Sequence, residues 1–336
     1  MSTWRMPPEW HPQDRIWMAF PTAGYSLGET EDQIEEARMA WASVANAIVP
    51  FEPVTLLVDP SDAEIVRNYL DPRVDVAEAP LDDAWMRDIG PTFVIGDDGA
   101  VAGVDWVFNG WGAASWATWG KDAEIAPRVC ELAEVPVVPS PMINEGGGIH
   151  VNGEGTVLVT RTVQLGEGRN VDWTQQQVED ELSRTLGVDR VIWLERGLTR
   201  DYEVFGTRGH VDIVATFSDA TTILFHDQRN PEHPDFEVTA QVRATLEGQG
   251  FTLIAVPAPE VIRDDEGWVD YSYINHLVVN GAVILCSFDD PGDERAAAII
   301  RQAYPDREVV LVDARPLFAR GGGIHCITQQ QPRSGS

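Results

Sequence analysis

One unit recurs along this chain: an apolar strand, an amphipathic helix and a second apolar strand. The first copy is IWMAF (16–20), a helix from Thr30 to about Ala47, and VTLLVD (54–59). TEDQ at its helix start reads as a capping box of Thr30 and Gln33. The second copy is TFVIG (92–96), KDAEIAPRVCELAE and VPVVPS (135–140); the third is TVLVT (156–160), TQQQVEDELSRTLG and RVIWLE (190–195). VDIVATF (211–217), VTAQVRATLEGQG and FTLIAVP (251–257) form the fourth, and AVILCSF (282–288), DERAAAIIRQAY and EVVLVDA (308–314) the fifth. Repetition at a fixed period constrains a fold more than any local propensity does. Five such units around one axis predict an α/β fold of the five-bladed, pseudo-fivefold propeller type. Residues 1–332 are expected to form a single catalytic domain and RSGS (333–336) a disordered tail.

The segments between units carry the unusual residues. They are LDDAWMRDIGP (81–91), INEGGGIHVNGEG (143–155), DYEVFGTRGHVD (201–212), GWVDYSYINHLVVNG (267–281) and ARGGGIHCITQQQ (319–331). Equivalent units would aim all five at one central point. GGGIH occurs in two of them, followed by Val151 in one and Cys326 in the other. Alternating strands and helices also suit a doubly wound sheet. No GxGxxG follows the first strand, so dinucleotide binding has no support.

Formal net charge is −30, with Lys121 the only lysine. That balance argues against nucleic acid as a partner, since phosphate binding needs a basic face. No apolar run approaches the roughly 20 residues of a membrane span, and the N-terminus has no apolar signal core. A cytoplasmic protein with no membrane partner is expected. Three cysteines do not make a disulfide framework. Cys130 and Cys286 have apolar neighbours and read as packing residues, whereas Cys326 follows three glycines and a histidine.

Cys326 is therefore the candidate nucleophile, given a neighbour that favours its thiolate. His210, in RGHVD, is the candidate proton carrier; on a strand it would share a face with Asp212. Glu145, just before the first glycine turn, would orient His210 as the third member of a triad does. Asp88 and Asp212 then remain as extra carboxylates that disfavour a thiolate unless a cation lies between them. A guanidinium suits paired carboxylates. The expected substrate is thus a small cationic guanidino compound held by Asp88 and Asp212 and attacked by Cys326, with Trp85 and Trp111 as pocket walls. The bland alternative for both tryptophans is core packing. His150 reads as a structural hydrogen bonder, and HDQRNPEH, with His226 and His233, as an exposed loop. No short metal-ligand spacing occurs, so no metal and no cofactor are expected.

The segments MPPEWHPQDRIWMAFP, WMRDIGPTFV, FNGWG, NEGGGIHVNGEGT, RGHVD, YSYINHLVVNGAVI, FDDPGDERA and GGGIHCITQQQP resemble the agmatine deiminases of the guanidine-modifying pentein superfamily. The resemblance implies the five-bladed α/β propeller, a catalytic Cys326, His210 and Glu145, and guanidinium-holding Asp88 and Asp212. It implies hydrolysis of agmatine to N-carbamoylputrescine and ammonia without a cofactor, in a possible homodimer. The chain departs from the family pattern at Phe205, Gly206, Arg208, Ile213 and Asn152. Arg208 beside the pocket would repel an ammonium tail and welcome a carboxylate, with Asp201 and Glu203 as compensating acids. The alternatives are another guanidino substrate, an amidinotransferase, or a non-catalytic ribosome-binding pentein.

Overall fold

A computed structural model describes residues 4–265 and 267–335. Five mixed sheets carry the architecture, with a small ribbon of Arg263–Asp264 and Gly267–Trp268 beside them. Each of the five contains a leading strand antiparallel to a middle strand, and a trailing strand parallel to that middle strand. The middle and trailing strands are joined through a helix, because a parallel pair needs a crossover of a dozen residues or more.

In chain order, Gln13–Ala19 pairs in parallel with Val54–Val58 across the helix Glu31–Ile48. Its leading strand, Thr328–Pro332, comes from the far end of the chain and sets Thr328 opposite Met18. The next sheet is Thr92–Gly96, Val101–Val107 and Val137–Ile143, with the helix Ile125–Leu132. Ile149–Val151, Thr156–Thr160 and Arg190–Leu194 follow, with Gln175–Leu186. Then come Ala215–Asp219, Thr222–Asp227 and Thr252–Pro257, with Asp235–Leu246. The last is Leu277–Val279, Ala282–Ser287 and Glu308–Asp313, with Asp293–Ala303.

The repeat is therefore strand–strand–helix–strand, which corrects two expected units. TFVIG and the second half of VDIVATF are leading strands, and their crossovers start from Val101–Val107 and Thr222–Asp227. A hairpin offers two apolar runs close together, and periodicity alone does not say which one feeds the helix. The expected exposed loop at HDQRNPEH is also corrected. His226 lies within the strand Thr222–Asp227 and is buried, and buried His233 shares a hydrogen bond at 3.0 Å with the Val269 carbonyl. Residues Val211–Ile213 form a 3₁₀ turn, so His210 and Asp212 do not meet by strand alternation.

Burial orders the sheets. Leu277–Val279, Ile149–Val151 and Thr328–Pro332 are buried throughout, whereas Glu308–Asp313 and Asp75–Glu78 are partly exposed. The leading strands thus line the interior. Helix Glu31–Ile48 buries Ala37, Trp41, Val44, Ala45 and Ile48, the spacing of one helical face. Capping boxes form at Thr30 and Gln33 and again at Thr174 and Gln177. The tail expected to be disordered is held as far as Gly335: the Arg333 amide donates to the Pro12 carbonyl and that of Gly335 to Gly99. Ser336 lies outside the described residues. Among the described residues no helix is long and apolar enough to cross a membrane.

Thr30→Ala should destabilise the protein by about 1 kcal/mol, the usual cost of losing an N-cap hydroxyl. Urea unfolding checks this; an unchanged midpoint would show that the cap contributes nothing measurable.

Candidate active site

The five connectors end in residues just ahead of the five leading strands, and those residues converge. Asp88 precedes Thr92–Gly96, Glu145 precedes Ile149–Val151, His210 and Asp212 precede Ala215–Asp219, and Cys326 precedes Thr328–Pro332. The fifth connector contributes Asn275, ahead of Leu277–Val279. The Cys326 Sγ lies 3.5 Å from Asp212 Oδ2 and 3.2 Å from Asn275 Nδ2. His210 Nε2 meets Glu145 Oε2 at 3.3 Å, while its Nδ1 is 3.8 Å from Asp88 Oδ1 and has no hydrogen-bond partner. All of these side chains are buried.

The glycine turns make this convergence possible. A Cβ on Gly147 would sit 2.4 Å from His210 Nδ1 and 3.1 Å from Asp212 Oδ2. One on Gly322 would sit 2.7 Å from Trp85 Cζ3 and 3.0 Å from Cys326 Sγ. The shared GGGIH thus serves one purpose in both places: bare backbone packs against site groups where no side chain fits. The two histidines differ in what they hold. His150 binds Thr216 Oγ1 and the Phe217 amide, as a structural hydrogen bonder. His325 bridges Asp212 Oδ2 at 2.8 Å and Glu9 Oε1 at 2.7 Å.

Charge is distributed unevenly. Glu145 faces Arg169 Nε at 3.0 Å. Burial opposes its ionisation, but Arg169 and His210 outweigh burial and hold its pKa below the usual range. Burial likewise opposes the charge of Asp212, and His325 and His210 overcome it. Asp88 has only His210, 3.8 Å away and shared with Glu145: burial outweighs it and pushes Asp88 up to about 6, with Glu145 and Asp212 adding to the rise. Its oxygens accept from Trp111 Nε1 at 2.9 Å and the Gly147 amide at 3.1 Å. Burial works against an imidazolium at His210, yet Asp88 and Glu145 raise its pKa to about 9. Burial, Asp212 and Asp88 all push the Cys326 thiol well above its ordinary value. Cys130 and Cys286, the packing cysteines, are raised to about 12 mainly by burial.

Trp85 contacts Trp41 edge-on at 5.4 Å and lies against Gly322; Trp111 stacks on Trp116 at 5.2 Å. Both tryptophans are near the site. Arg208 lies behind the Trp111 turn: its Nη1 donates to the Glu167 carbonyl at 2.8 Å, and a Cβ on Gly112 would sit 3.2 Å from it. Asp201 is not a free acid either. It accepts from the amides of Thr207, Gly209 and His210 and from the Thr207 hydroxyl, so it shapes the loop that carries His210. Sequence reasoning missed Glu9, Arg87, Arg169 and Asn275. Arg87 is buried beneath the thiol loop, where its amide donates to the Cys326 carbonyl and its Nε to that of His325. The only available signal was position: Asn275 and Arg87 lie in the connectors, whereas Glu9 and Arg169 do not.

The fold matches solved pentein structures, which sets the class. The structure of the agmatine deiminase of Enterococcus faecalis superposes with a TM-score of 0.90 at 31% identity, covering 98% of this chain and 96% of that one. A Streptomyces coelicolor protein, provisionally named an agmatine deiminase, is 55% identical over 339 residues, 99% of this chain and 100% of its own length. The agmatine deiminase of Pseudomonas syringae pv. syringae is 38% identical over 358 residues, covering 97% and 95%. Residues 5–332 match the Porphyromonas-type peptidyl-arginine deiminase family, and the chain belongs to it.

Because Asp212 adds like charge to the burial that keeps the thiol neutral, Asp212→Asn should speed alkylation of Cys326 by iodoacetamide at pH 7 by about tenfold, one pKa unit's worth of thiolate. Peptide mass spectrometry measures the rate. An equal or slower rate would contradict this electrostatic account.

Proposed function

We propose that the protein hydrolyses agmatine to N-carbamoylputrescine and ammonia, with Cys326 as nucleophile, His210 and Glu145 as the proton-transfer pair, and Asp88 and Asp212 as the guanidinium clamp. One observation carries this reading: a buried thiol within 3.5 Å of a carboxylate, with a second carboxylate and a histidine around the same glycine turn. Such a site favours a thiolate only when a cation enters. A unit charge about 4 Å away is worth on the order of 4 kcal/mol at an effective dielectric of 20. That corresponds to about a thousandfold in thiolate population. The substrate would therefore activate the group that attacks it.

In this reading Sγ bonds to the guanidinium carbon and the carbon–nitrogen bond breaks. His210 gives its proton to the departing ammonia from Nδ1, because Glu145 holds Nε2. The neutral imidazole then takes a proton from water, whose oxygen adds to the same carbon. Collapse breaks the carbon–sulfur bond, and the hydroxyl proton passes to the departing sulfur, which restores the resting thiol and leaves the neutral ureido product. Trp85 and Trp111 wall the bound group. The five sheets are read as blades of a pseudo-fivefold propeller within one catalytic domain, 1–332. A cytoplasmic setting and a homodimer complete the reading.

The acid-tailed alternative rested on Arg208, whose guanidinium is bonded to Glu167 O. Arg208 is therefore given no substrate role. Ammonia release from agmatine, arginine and 4-guanidinobutyrate tests the substrate. Agmatine should be preferred, and Cys326→Ala should lose at least about a thousandfold in rate, as removal of a nucleophile does. Full activity in that variant would remove Cys326 from the chemistry.

The pH dependence follows from two groups. Asp88, raised to about 6, loses its charge as pH falls through that value, and the clamp is lost. His210, raised to about 9, loses the donated proton as pH rises through that value. The profile of kcat/KM should therefore fall on both sides of a plateau between them. A profile still rising above pH 10 would exclude His210 as the acid.

A further inference from the structure

The amine end of agmatine is a cation, so a carboxylate near the reacting centre would be needed to hold it. A cavity of about 220 Å³ adjoins the reacting centre. Gly321 lines it, and the next residue, Gly322, packs against Cys326 Sγ. An aromatic wall leads there from Asp88: Trp111, bonded to Asp88, stacks on Trp116, which meets Phe205 edge-on at 5.2 Å. Phe205 in turn stacks on Tyr25 with centroids 3.3 Å apart.

The acids lining this cavity are Asp201, Glu203 and Asp270. Asp201 is committed to the loop amides, and Glu203 is exposed. Asp270 differs from both. It is 7% exposed, and its carboxylate is bonded by its own amide, with Arg200 acting on it through charge. Burial raises its pKa to about 7, Asp201 adds to this, and Arg200 opposes it. Arg200, the one cation of the lining, is paired with Asp264 at 2.5 Å. A buried carboxylate so thinly paired is costly unless a cation arrives.

Resting on the deiminase reading above, we propose that Asp270, with the rings of Tyr25, Phe205 and Phe318 that line the cavity, binds the ammonium end of the substrate and makes the enzyme selective for guanidines carrying a distal cation. Rings and a carboxylate around one small cavity are the combination that holds an alkylammonium.

The test compares agmatine with butylguanidine, which has the same chain and guanidinium but no ammonium. Asp270→Asn should lower kcat/KM for agmatine by 10- to 100-fold, chiefly through KM, and change that for butylguanidine by less than about threefold. Asp270→Glu should recover part of the loss. Equal losses on both substrates, or no loss on agmatine, would overturn the subsite. Should Asp270→Asn fail to fold, calorimetry on Cys326→Ala protein decides: agmatine should bind at least tenfold more tightly than butylguanidine, and equal affinity overturns the proposal. The parent reading fails separately. If the unaltered protein releases ammonia from neither compound, both ideas fall; if it deiminates both equally well, the chemistry stands and the subsite does not.

Discussion

Everything at the centre of this protein is arranged around an imbalance of buried charge. Glu145 has Arg169, and Glu9 has His325 with Arg87 nearby at 3.6 Å. Asp88 has neutral donors in Trp111 and Gly147 and shares His210 with Glu145 at 3.8 Å, and Asp212 shares the imidazole of His325 with Glu9 while leaving Oδ1 without a hydrogen-bond partner. A thiol placed between such acids stays protonated until positive charge arrives. The under-neutralised carboxylates and the unreactive thiol are two sides of one electrostatic condition, and a planar cation relieves both.

The fold makes this condition tolerable by over-determining the positions of the acids. Each sits a few residues ahead of a buried leading strand, so ladder hydrogen bonds set its depth and direction. A row of supports fixes the orientations. Asp201 gathers the amides of residues 207–210 around the His210 turn, Asn275 joins Cys326 Sγ to the His325 amide, and Arg87 fastens the carbonyls of His325 and Cys326. The last strand of the chain pairs with Gln13–Ala19 near its start, with Gln329 opposite Trp17. The nucleophile's position therefore depends on closing the two ends of the chain together.

Much of this was legible before any coordinates. The five crossover helices fall where amphipathic spacing put them, and Cys326, Asp88, Asp212, His210 and Glu145 do come together. Two kinds of feature were hidden. Strand order was misread where a hairpin doubled the apolar run, as at Thr92–Gly96 and Ala215–Asp219, because period-two patterning is blind to pairing direction. Supporting residues were missed where the contact spans most of the chain. Glu9 meets His325 across 316 positions, and nothing local in MPPEWHPQ marks it as a partner.

By itself the sequence determined the repeat, the residue types delivered by each connector and the kind of group that opposed acids around a sulfur can hold. Those follow from side-chain periodicity and charge, which are written residue by residue. Tertiary structure alone decided which acid is left thinly paired. Asp201 and Asp270 are equivalent letters in two connectors, yet one is consumed by backbone amides and the other faces a cavity. Arg208, which the family resemblance placed at the pocket, donates to a carbonyl. Pairing of buried charge depends on distances between segments far apart in the chain, and those distances exist only after folding.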